Sequence, residues 1–306
     1  MFSLAHLSDI HLAPLPKVRP GDLTGKRLIG YHSWRFRRRH VHRPNILESV
    51  IADVLTHRPD HVAITGDLIN ISLREEYIVG ARWLQALGAP DWITFVPGNH
   101  DAYVVSPWDE GMGLWAGYMT GDLRMAGARG TGGLANPFPF VRQRRNLALI
   151  GVSTALPTSW RMAAGELGAR QLESLAQILR ELRERGFYRI LLIHHPPLPG
   201  QSEPRKALLD ARELKEILVQ EGAELVIHGH EHLHELKRLE TPSGPVHVVG
   251  VPSASARSTK RKPAAAWNLY EIRRQNGIWR CDVTIRSYDE ITGTMATRTR
   301  FSLDSA

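Results

Sequence analysis

The chain has 306 residues, 42% hydrophobic and 23% charged, with 26 glycines and 19 prolines. That composition supplies a core for one large or two ordinary domains and excludes a disordered or fibrous protein. The single cysteine, Cys281, excludes an internal disulfide and a thiolate-cluster zinc site, and the longest apolar runs fall far short of the ~18 residues of a membrane-spanning helix.

Residues 1–12 lack the basic start and apolar stretch of a signal peptide, so the expected setting is a reducing one, the cytoplasm. Residues 2–7 predict a buried strand that runs into the polar Ser8-Asp9-Ile10-His11. The formal charge of +8 is concentrated just beyond it. Residues 17–43 hold nine lysines and arginines against one acid, and the rest of the chain is close to neutral. This segment reads either as a solvated loop or helix face or as an anion-facing patch. Leu28, Ile29, Tyr31, Trp34 and Phe36 interleave with the cations and favour an anionic membrane surface as its partner. His32, His40 and His42 belong to its solvated face in this reading.

Further along, 45–57 places Ile46, Leu47, Val50, Ile51, Val54 and Leu55 on one helical face. A short strand at 61–65 ends in Gly66-Asp67, a helix at 74–87 stops at Gly88, and a strand at 92–96 ends in Pro97-Gly98-Asn99-His100-Asp101. Residues 102–146 break this rhythm, with eight glycines between Gly111 and Gly133, and read as an insert or lid. Regular structure resumes with a strand at 147–152, a helix at 169–185, and a strand at 188–193 ending in His194-His195-Pro196-Pro197. A helix at 206–220 and a strand at 225–227 lead into His228-Gly229-His230-Glu231-His232. The remainder, 246–302, is predicted all-β, with Asn276-Gly277 as a hairpin turn. No linker separates two halves. The expected organisation is a single domain over 1–306, with its motif-bearing core in 1–235.

Five times an apolar strand ends in Asp, Asn or His within a short Gly- or Pro-containing turn. Ligand sites in α/β sheets lie beyond the carboxyl ends of strands, so these turns can converge on one crevice. Carboxylate, amide and imidazole without thiolate suit Mn, Fe, Zn or Co. Seven such ligands exceed the four of one tetrahedral ion, which points to two ions sharing a carboxylate. Any one of these turns alone is weak; an isolated Asp-x-His is usually just a turn. The other histidines, His6, His57, His61, His228, His234 and His247, read as packing or surface residues.

The ordered series Asp-x-His, Gly-Asp, Gly-Asn-His-Asp, strand-end His and Gly-His-x-His resembles the calcineurin-like metallophosphoesterases, from Asp9 to His232. The resemblance implies an α/β fold, a four-layer α/β/β/α sandwich of two mixed sheets. It also implies that Asp9, His11 and His232 hold one metal, that Asn99, His194 and His230 hold a second, and that Asp67 bridges them. His100 is then the proton donor beside the phosphate, with Asp101 orienting it, and His194 rather than His195 is the ligand of that pair. The cofactors implied are two divalent ions, Mn, Fe or Zn.

The expected function is a di-metal phosphoric ester hydrolase, a phosphodiesterase that uses a hydroxide bridging the metals. The motif style is nearest the cyclic-nucleotide and glycerophosphodiester branch. The alternative is a lipid-linked pyrophosphatase or phospholipid esterase, peripheral at the membrane through 17–43. A phosphomonoesterase, a nuclease and a metal-free scaffold rank lower. Nucleic acid is not an expected partner, and the oligomeric state is left open.

Overall fold

Two six-stranded mixed sheets form the centre of the computed structural model, which describes residues 1–125 and 137–304. The first sheet runs in the order β12 (Thr294–Asp304), β11 (Ile278–Asp289), β10 (Ala266–Gln275), β1 (Phe2–Leu7), β2 (His61–Ile64), β3 (Ile93–Phe95). The second runs β4 (Phe140–Arg144), β5 (Leu147–Gly151), β6 (Tyr188–Leu192), β7 (Leu225–His228), β9 (Val246–Gly250), β8 (Glu235–Leu239). Strands β1, β2 and β3 are mutually parallel, as are β5, β6, β7 and β9. Parallel strands covered on both faces read as continuous apolar runs, which is why these elements stood out in the sequence.

Side-chain alternation separates the layers. Ile190 and Leu192 of β6 face the core between the sheets, whereas Leu191 and the adjoining Ile193 face α4 (Ala169–Glu184) and α5 (Ala211–Glu221). Helix α4 meets them with Leu172, Leu175, Ile178, Leu179 and Leu182, a helical stripe whose members each contribute roughly 1.5–3 kcal/mol on burial. On the other side, α2 (Pro44–His57) and α3 (Arg74–Leu87) add Val50, Val54, Tyr77 and Leu84 to the core of the first sheet. The result is the four-layer α/β/β/α sandwich expected from the sequence.

Four elements differ from expectation. Leu55 of α2 is exposed although it lies on the predicted apolar face. The helix expected at 206–220 begins at Ala211, because the Asp210 carboxylate accepts the N–H groups of Leu167 and Gly168 and holds the preceding residues outside the helix. Strands β4 and β8 were not expected; β8 is an exposed polar edge strand, Glu-Leu-Lys-Arg-Leu, with no apolar alternation to reveal it. Within the predicted all-β remainder, β9 joins the second sheet with β8 at the edge beside it; the chain then crosses at Ser253 and Ala254, and β10–β12 extend the first sheet alongside β1. Asn276 and Gly277 make the β10–β11 turn with φ of +51° and +82°, as a two-residue hairpin requires.

The segment 102–146 is largely woven into the fold. Trp115, Tyr118 and Met119, in the 3-10 stretch Met112–Met119, are buried in the core, and 140–144 form β4. The glycine-rich remainder at 126–136 lies outside the described residues.

His61 on β2 is fully buried. Its Nε2–H donates to Thr94 Oγ1 at 2.7 Å, and its Nδ1 accepts from Arg144 at 3.3 Å. Burial, aided by the charges of Arg144 and Arg142, pushes this imidazole down to about 2. The unfolded chain takes up a proton near pH 6.5 that the folded chain refuses. The contribution to stability is therefore complete above that pH and is lost below it, by ~1.4 kcal/mol per pH unit, down to the folded value. Urea midpoints measured between pH 7.5 and 5 should fall more steeply for the parent chain than for His61→Gln. Parallel pH profiles would show that His61 is not held neutral.

Candidate metal centre

The predicted site residues gather at the carboxyl ends of five parallel strands drawn from both sheets. Asp9 and His11 follow β1, Asp67 follows β2, Asn99 and His100 follow β3, His194 follows β6, and His230 and His232 follow β7. Backbone hydrogen bonds join the turns: Asp9 N–H to the Gly66 carbonyl (3.0 Å), His11 N–H to Asp67 (2.9 Å), and Gly229 N–H to His194 (3.1 Å). Among the described residues, five of the nine non-glycine residues with positive φ are here: Asp9 (+52°), His11 (+44°), Asp67 (+54°), His230 (+69°) and His232 (+52°). Each such residue costs of order 1–3 kcal/mol, which the surrounding fold must supply, and strain of this kind concentrates at functional sites. Gly98 lets two of the turns close on each other, since a Cβ there sits 2.7 Å from both the Asp67 amide nitrogen and the His194 ring.

The polar atoms meet as two overlapping groups. In one, Asp9 Oδ1 lies 3.0 Å from His232 Nε2, with a ring nitrogen of His11 within 4.8 Å of both. In the other, His194 Nε2 lies 3.2 Å from Asn99 Oδ1 and 3.3 Å from His230 Nδ1. Asp67 Oδ2 stands between them, 3.8 Å from His11 Nε2 and 3.5 Å from His194 Nε2. Six of these seven residues are buried and His232 is half-buried.

The surroundings fix which atom each residue presents. His11 Nδ1–H donates to the Ile69 carbonyl (3.2 Å) and His194 Nδ1–H to Thr65 (2.6 Å), leaving both Nε2 lone pairs directed inward. The neighbouring His195 has both nitrogens engaged, with Thr154 Oγ1 (2.7 Å) and the Ala163 carbonyl (3.1 Å). The Asp101 carboxylate accepts four backbone N–H groups, those of Asp67, Leu68, Ile69 and Gly98, at 2.8–3.2 Å. It organises the turns, and the task of orienting His100, which the resemblance implied for it, falls elsewhere. His100 Nδ1–H donates to the Asn70 carbonyl (2.6 Å), the ring stacks on Tyr103, and Arg38 Nη1 lies 3.0 Å from Nδ1. Asn70 is in turn pinned by Glu76 of α3, whose carboxylate accepts the N–H groups of Asn70, Ile71 and Leu73.

Electrostatics shows what the cluster demands. Burial alone raises the Asp67 carboxyl, yet His194, His100 and His11 hold it well below the carboxylate range; Asp9 is lowered likewise by His232. Burial disfavours charge on His194, but Asp67 and Asp9 outweigh it and push that imidazole up to about 9. Two buried carboxylates thus draw positive charge into the cleft. Asp9 Oδ1 and His230 Nε2 are buried without a hydrogen bond among the described residues, although His232 stands next to Asp9. Adjacent lone pairs that do not satisfy each other are what ligands of a cation look like, and these O and N donors fit divalent transition ions. Burial lowers His100 to about 4, Arg38 adding to the effect and Asp67 opposing it, so this ring is neutral near pH 7.

Two residues here were missed in the sequence. His42, assigned there to a solvated face, is buried with its ring 4.4 Å from that of His11 and its Nδ1 2.8 Å from Ser255 Oγ. Arg38 reaches inward to His100 and the Gly30 carbonyl. The signal was the charge density of 17–43, which forms α1 (Lys26–Phe36) and then lines a cavity of about 520 Å³ over the cluster. Trp34 packs with Leu15, Ile71 and Tyr103 in a small core of its own, leaving Leu28, Ile29 and Phe36 as the exposed apolar residues of the segment.

Asp101 offers a direct test of the geometry. Asp101→Asn exchanges one acceptor oxygen for a donor facing backbone N–H groups, so the turns carrying Asp67 and Asn99 lose their common anchor. Calorimetric titration with Mn²⁺ should show affinity lowered roughly 10–100-fold, the usual cost of removing an outer-sphere partner, with the far-UV spectrum unchanged. Unchanged affinity would mean that the turns hold themselves.

Comparison with known proteins agrees with this architecture. The family model for calcineurin-like phosphoesterases matches residues 2–234. A relative named as a probable cyclic nucleotide phosphodiesterase, from Synechococcus sp. (strain WH7803), is 24% identical over 230 residues, 68% of this chain and 72% of its own. Among solved structures, a dimetal phosphatase from Danio rerio superposes with a TM-score of 0.64 at 14% identity, covering 100% of this chain and 99% of that one. GAP50, the anchor in the inner membrane complex of Plasmodium, reaches 0.51 at 10% identity, covering 100% and 89%. These two likenesses are of fold. With its strand-end turns gathered into one buried carboxylate–imidazole cluster, the chain belongs to the calcineurin-like phosphoesterase family, hydrolases of phosphoric esters that use a binuclear centre of divalent metals.

Proposed function

We propose that this phosphoesterase cleaves phosphodiester linkages, with Asp9, His11 and His232 holding one metal, Asn99, His194 and His230 the other, and Asp67 shared between them. The observation that carries the assignment is the position of Asp67 Oδ2, 3.8 Å from His11 Nε2 and 3.5 Å from His194 Nε2, facing one ligand of each group. The printed name of the Synechococcus relative supports a diester as substrate. Two divalent ions in such a site supply an acidified water and neutralise charge developing on phosphorus.

The chain's own residues do the rest. His100 stands beside the cluster, its backbone N–H donating to Asp67 Oδ1 at 2.7 Å. The Asn70 carbonyl fixes Nδ1–H, so Nε2, which Arg38 Nη1 approaches at 3.4 Å, is the atom that would face substrate. An anionic phosphoryl group arriving there favours the imidazolium, and Nε2–H then supplies a proton to the leaving oxygen. The reading is tested with the Mn²⁺-loaded chain. Asp67→Asn should abolish hydrolysis of bis(p-nitrophenyl) phosphate and lower the bound metal below two ions per chain. His100→Ala should lower kcat by roughly 10²–10⁴-fold on alkyl diesters and less on p-nitrophenyl esters, whose leaving group needs no proton. Equal losses on both would remove His100 from the proton-donor role.

A second reading, action on a lipid-linked phosphate at a membrane surface, is favoured by one observation. Leu28, Ile29 and Phe36 of α1 are 43–63% exposed, beside Arg35, Arg37 and Arg39. No helix among the described residues is long and apolar enough to cross a membrane; in this reading these side chains make an interfacial contact. Co-sedimentation with anionic vesicles should fall well over tenfold when Arg35, Arg37 and Arg39 become Ser, each cation being worth about 1 kcal/mol near such a surface. No pelleting of the parent chain at low salt would eliminate this reading.

A further inference from the structure

One buried imidazole beside the metal centre is neither one of its seven donors nor the proton donor. His42 lies where the basic segment meets α2, and its backbone is clamped to the crossover between β9 and β10. Arg43 N–H donates to the Ser255 carbonyl and Arg257 N–H to the Val41 carbonyl, both at 2.9 Å, with an antiparallel bridge between His42 and Ala256. The residue is 4% exposed. Its ring lies 4.4 Å from that of His11 and 5.9 Å from that of His232, two members of the first donor group. Even so, it stands outside the sets of donor atoms that gather within 4.8 Å of one another among the described residues.

Hydrogen bonding fixes which nitrogen this ring shows to the cleft. Ser253 Oγ–H donates to the Asp9 carbonyl at 2.6 Å, and Ser253 Oγ accepts the Ser255 N–H at 3.3 Å. The Ser255 hydroxyl then has His42 Nδ1 as its nearest acceptor, at 2.8 Å against 3.4 Å to Ser253 Oγ. With Nδ1 accepting, the proton of the ring is on Nε2. No described residue hydrogen-bonds to Nε2, and the ring lines the cavity over the cluster. A nitrogen that carries hydrogen offers no lone pair to a metal. Beside the lone pairs of Asp9, His11 and His232 it has the opposite polarity, and what it can bind is an acceptor. Lys26, Arg37, Arg38 and Arg161 make the wall of the same cavity positive, so the acceptor drawn there is anionic.

We propose that His42 is a second catalytic imidazole, its Nε2–H donating to a non-bridging phosphoryl oxygen of the bound ester on the side of the cleft that holds His11 and His232. The inference rests on the phosphoesterase reading above and adds a residue to it. The His11 ring neighbours both imidazoles, His42 at 4.4 Å and His100 at 4.9 Å. An ester held there meets one donor toward its leaving group and another at an oxygen on which charge builds. His42 transfers no proton. Its hydrogen bond strengthens as negative charge develops on the oxygen, and that difference lowers the barrier. The backbone clamp and the Ser255 hydroxyl hold the donor in place before the ester arrives, so little reorganisation opposes the reaction.

The test compares three variants of the Mn²⁺-loaded full chain. His42→Leu removes the donor, and His42→Gln returns an N–H at similar reach. Ser255→Ala releases Nδ1, so that either ring nitrogen can carry the proton. The substrate is bis(p-nitrophenyl) phosphate, whose leaving group needs no proton and so makes the least demand on His100. In His42→Leu, kcat should fall roughly 10²–10³-fold, the usual cost of one oxyanion donor. His42→Gln should recover roughly tenfold or more of that loss, and Ser255→Ala should lie between the parent and His42→Leu. Calorimetry adds a readout without turnover. His42→Leu should keep the parental Mn²⁺ affinity and stoichiometry while binding orthovanadate roughly tenfold or more weakly. Equal losses in the Leu and Gln variants, or parental vanadate affinity in His42→Leu, overturn the donor role. Loss of a metal ion from both His42 variants overturns it as well, and places the ring in the metal shell. If the loaded parent hydrolyses no diester, the diesterase reading falls and the vanadate affinities alone decide His42. A loaded parent that binds no vanadate either overturns both.

Discussion

A single carboxylate, that of Asp67, is the point on which the two sheets depend. Its Oδ1 accepts the His100 N–H, its Oδ2 faces His11 and His194, its own N–H donates to Asp101 and its carbonyl accepts from His11. Those partners come from β1, β3 and β6, so the negative charge of one buried group touches both halves of the sandwich. A buried anion is tolerated only when hydrogen bonds and positive charge surround it. The left-handed turns, the close approach at Gly98 and the inward-facing imidazoles all serve that requirement. The strain they store is the counterpart of a cluster whose charge has been left for a cation to complete.

Much of this was legible in the sequence because the relevant signals are local. Parallel strands buried on both faces appear as apolar runs, and the residues that end them are polar at one position after another. The donor types at those ends, in their order, are enough to point to the family. What the sequence did not reveal depends on contacts distant in the chain. The resemblance implied that Asp101 orients His100, but its carboxylate binds the backbone of 67–69, on another strand end. Strand β8 pairs through its backbone while its three central side chains are exposed and Leu239 packs on the core from one end, so no periodicity announces it.

The basic segment shows a different kind of omission. Its composition was plain, but composition cannot tell a surface from a wall. Helix α1 buries only Gly30, and the reason is steric: a Cβ there sits 2.7 Å from Ile71 and 2.8 Å from Tyr103. The absence of a side chain lets the helix press against the loop beside His100. From that position the chain turns so that Arg38 reaches back to the Gly30 carbonyl and His42 packs on His11. Cations that would be solvated on an isolated amphipathic helix are thereby arranged around the cleft, while Leu28 and Phe36 remain outside.

The arrangement bears on how a phosphoester hydrolase handles its leaving group. Negative charge that builds on the departing oxygen can be met by a proton or by fixed positive charge. A neutral imidazole such as His100 gives the first only after the substrate's own charge has drawn a proton onto it. Arginines give the second at any pH near neutrality, with no proton to move. An alkoxide needs the proton; a departing phosphate monoester, already a stable anion, needs only the field. Arg38 sits against His100, disfavouring the imidazolium while adding to the positive wall. Burial and, to a smaller degree, this guanidinium keep the resting ring neutral, so its proton is taken up only when the substrate's own charge arrives. The cations that line the cleft and the buried imidazole thus answer the same negative charge in two ways, the first as a fixed field and the second through a proton gained on binding.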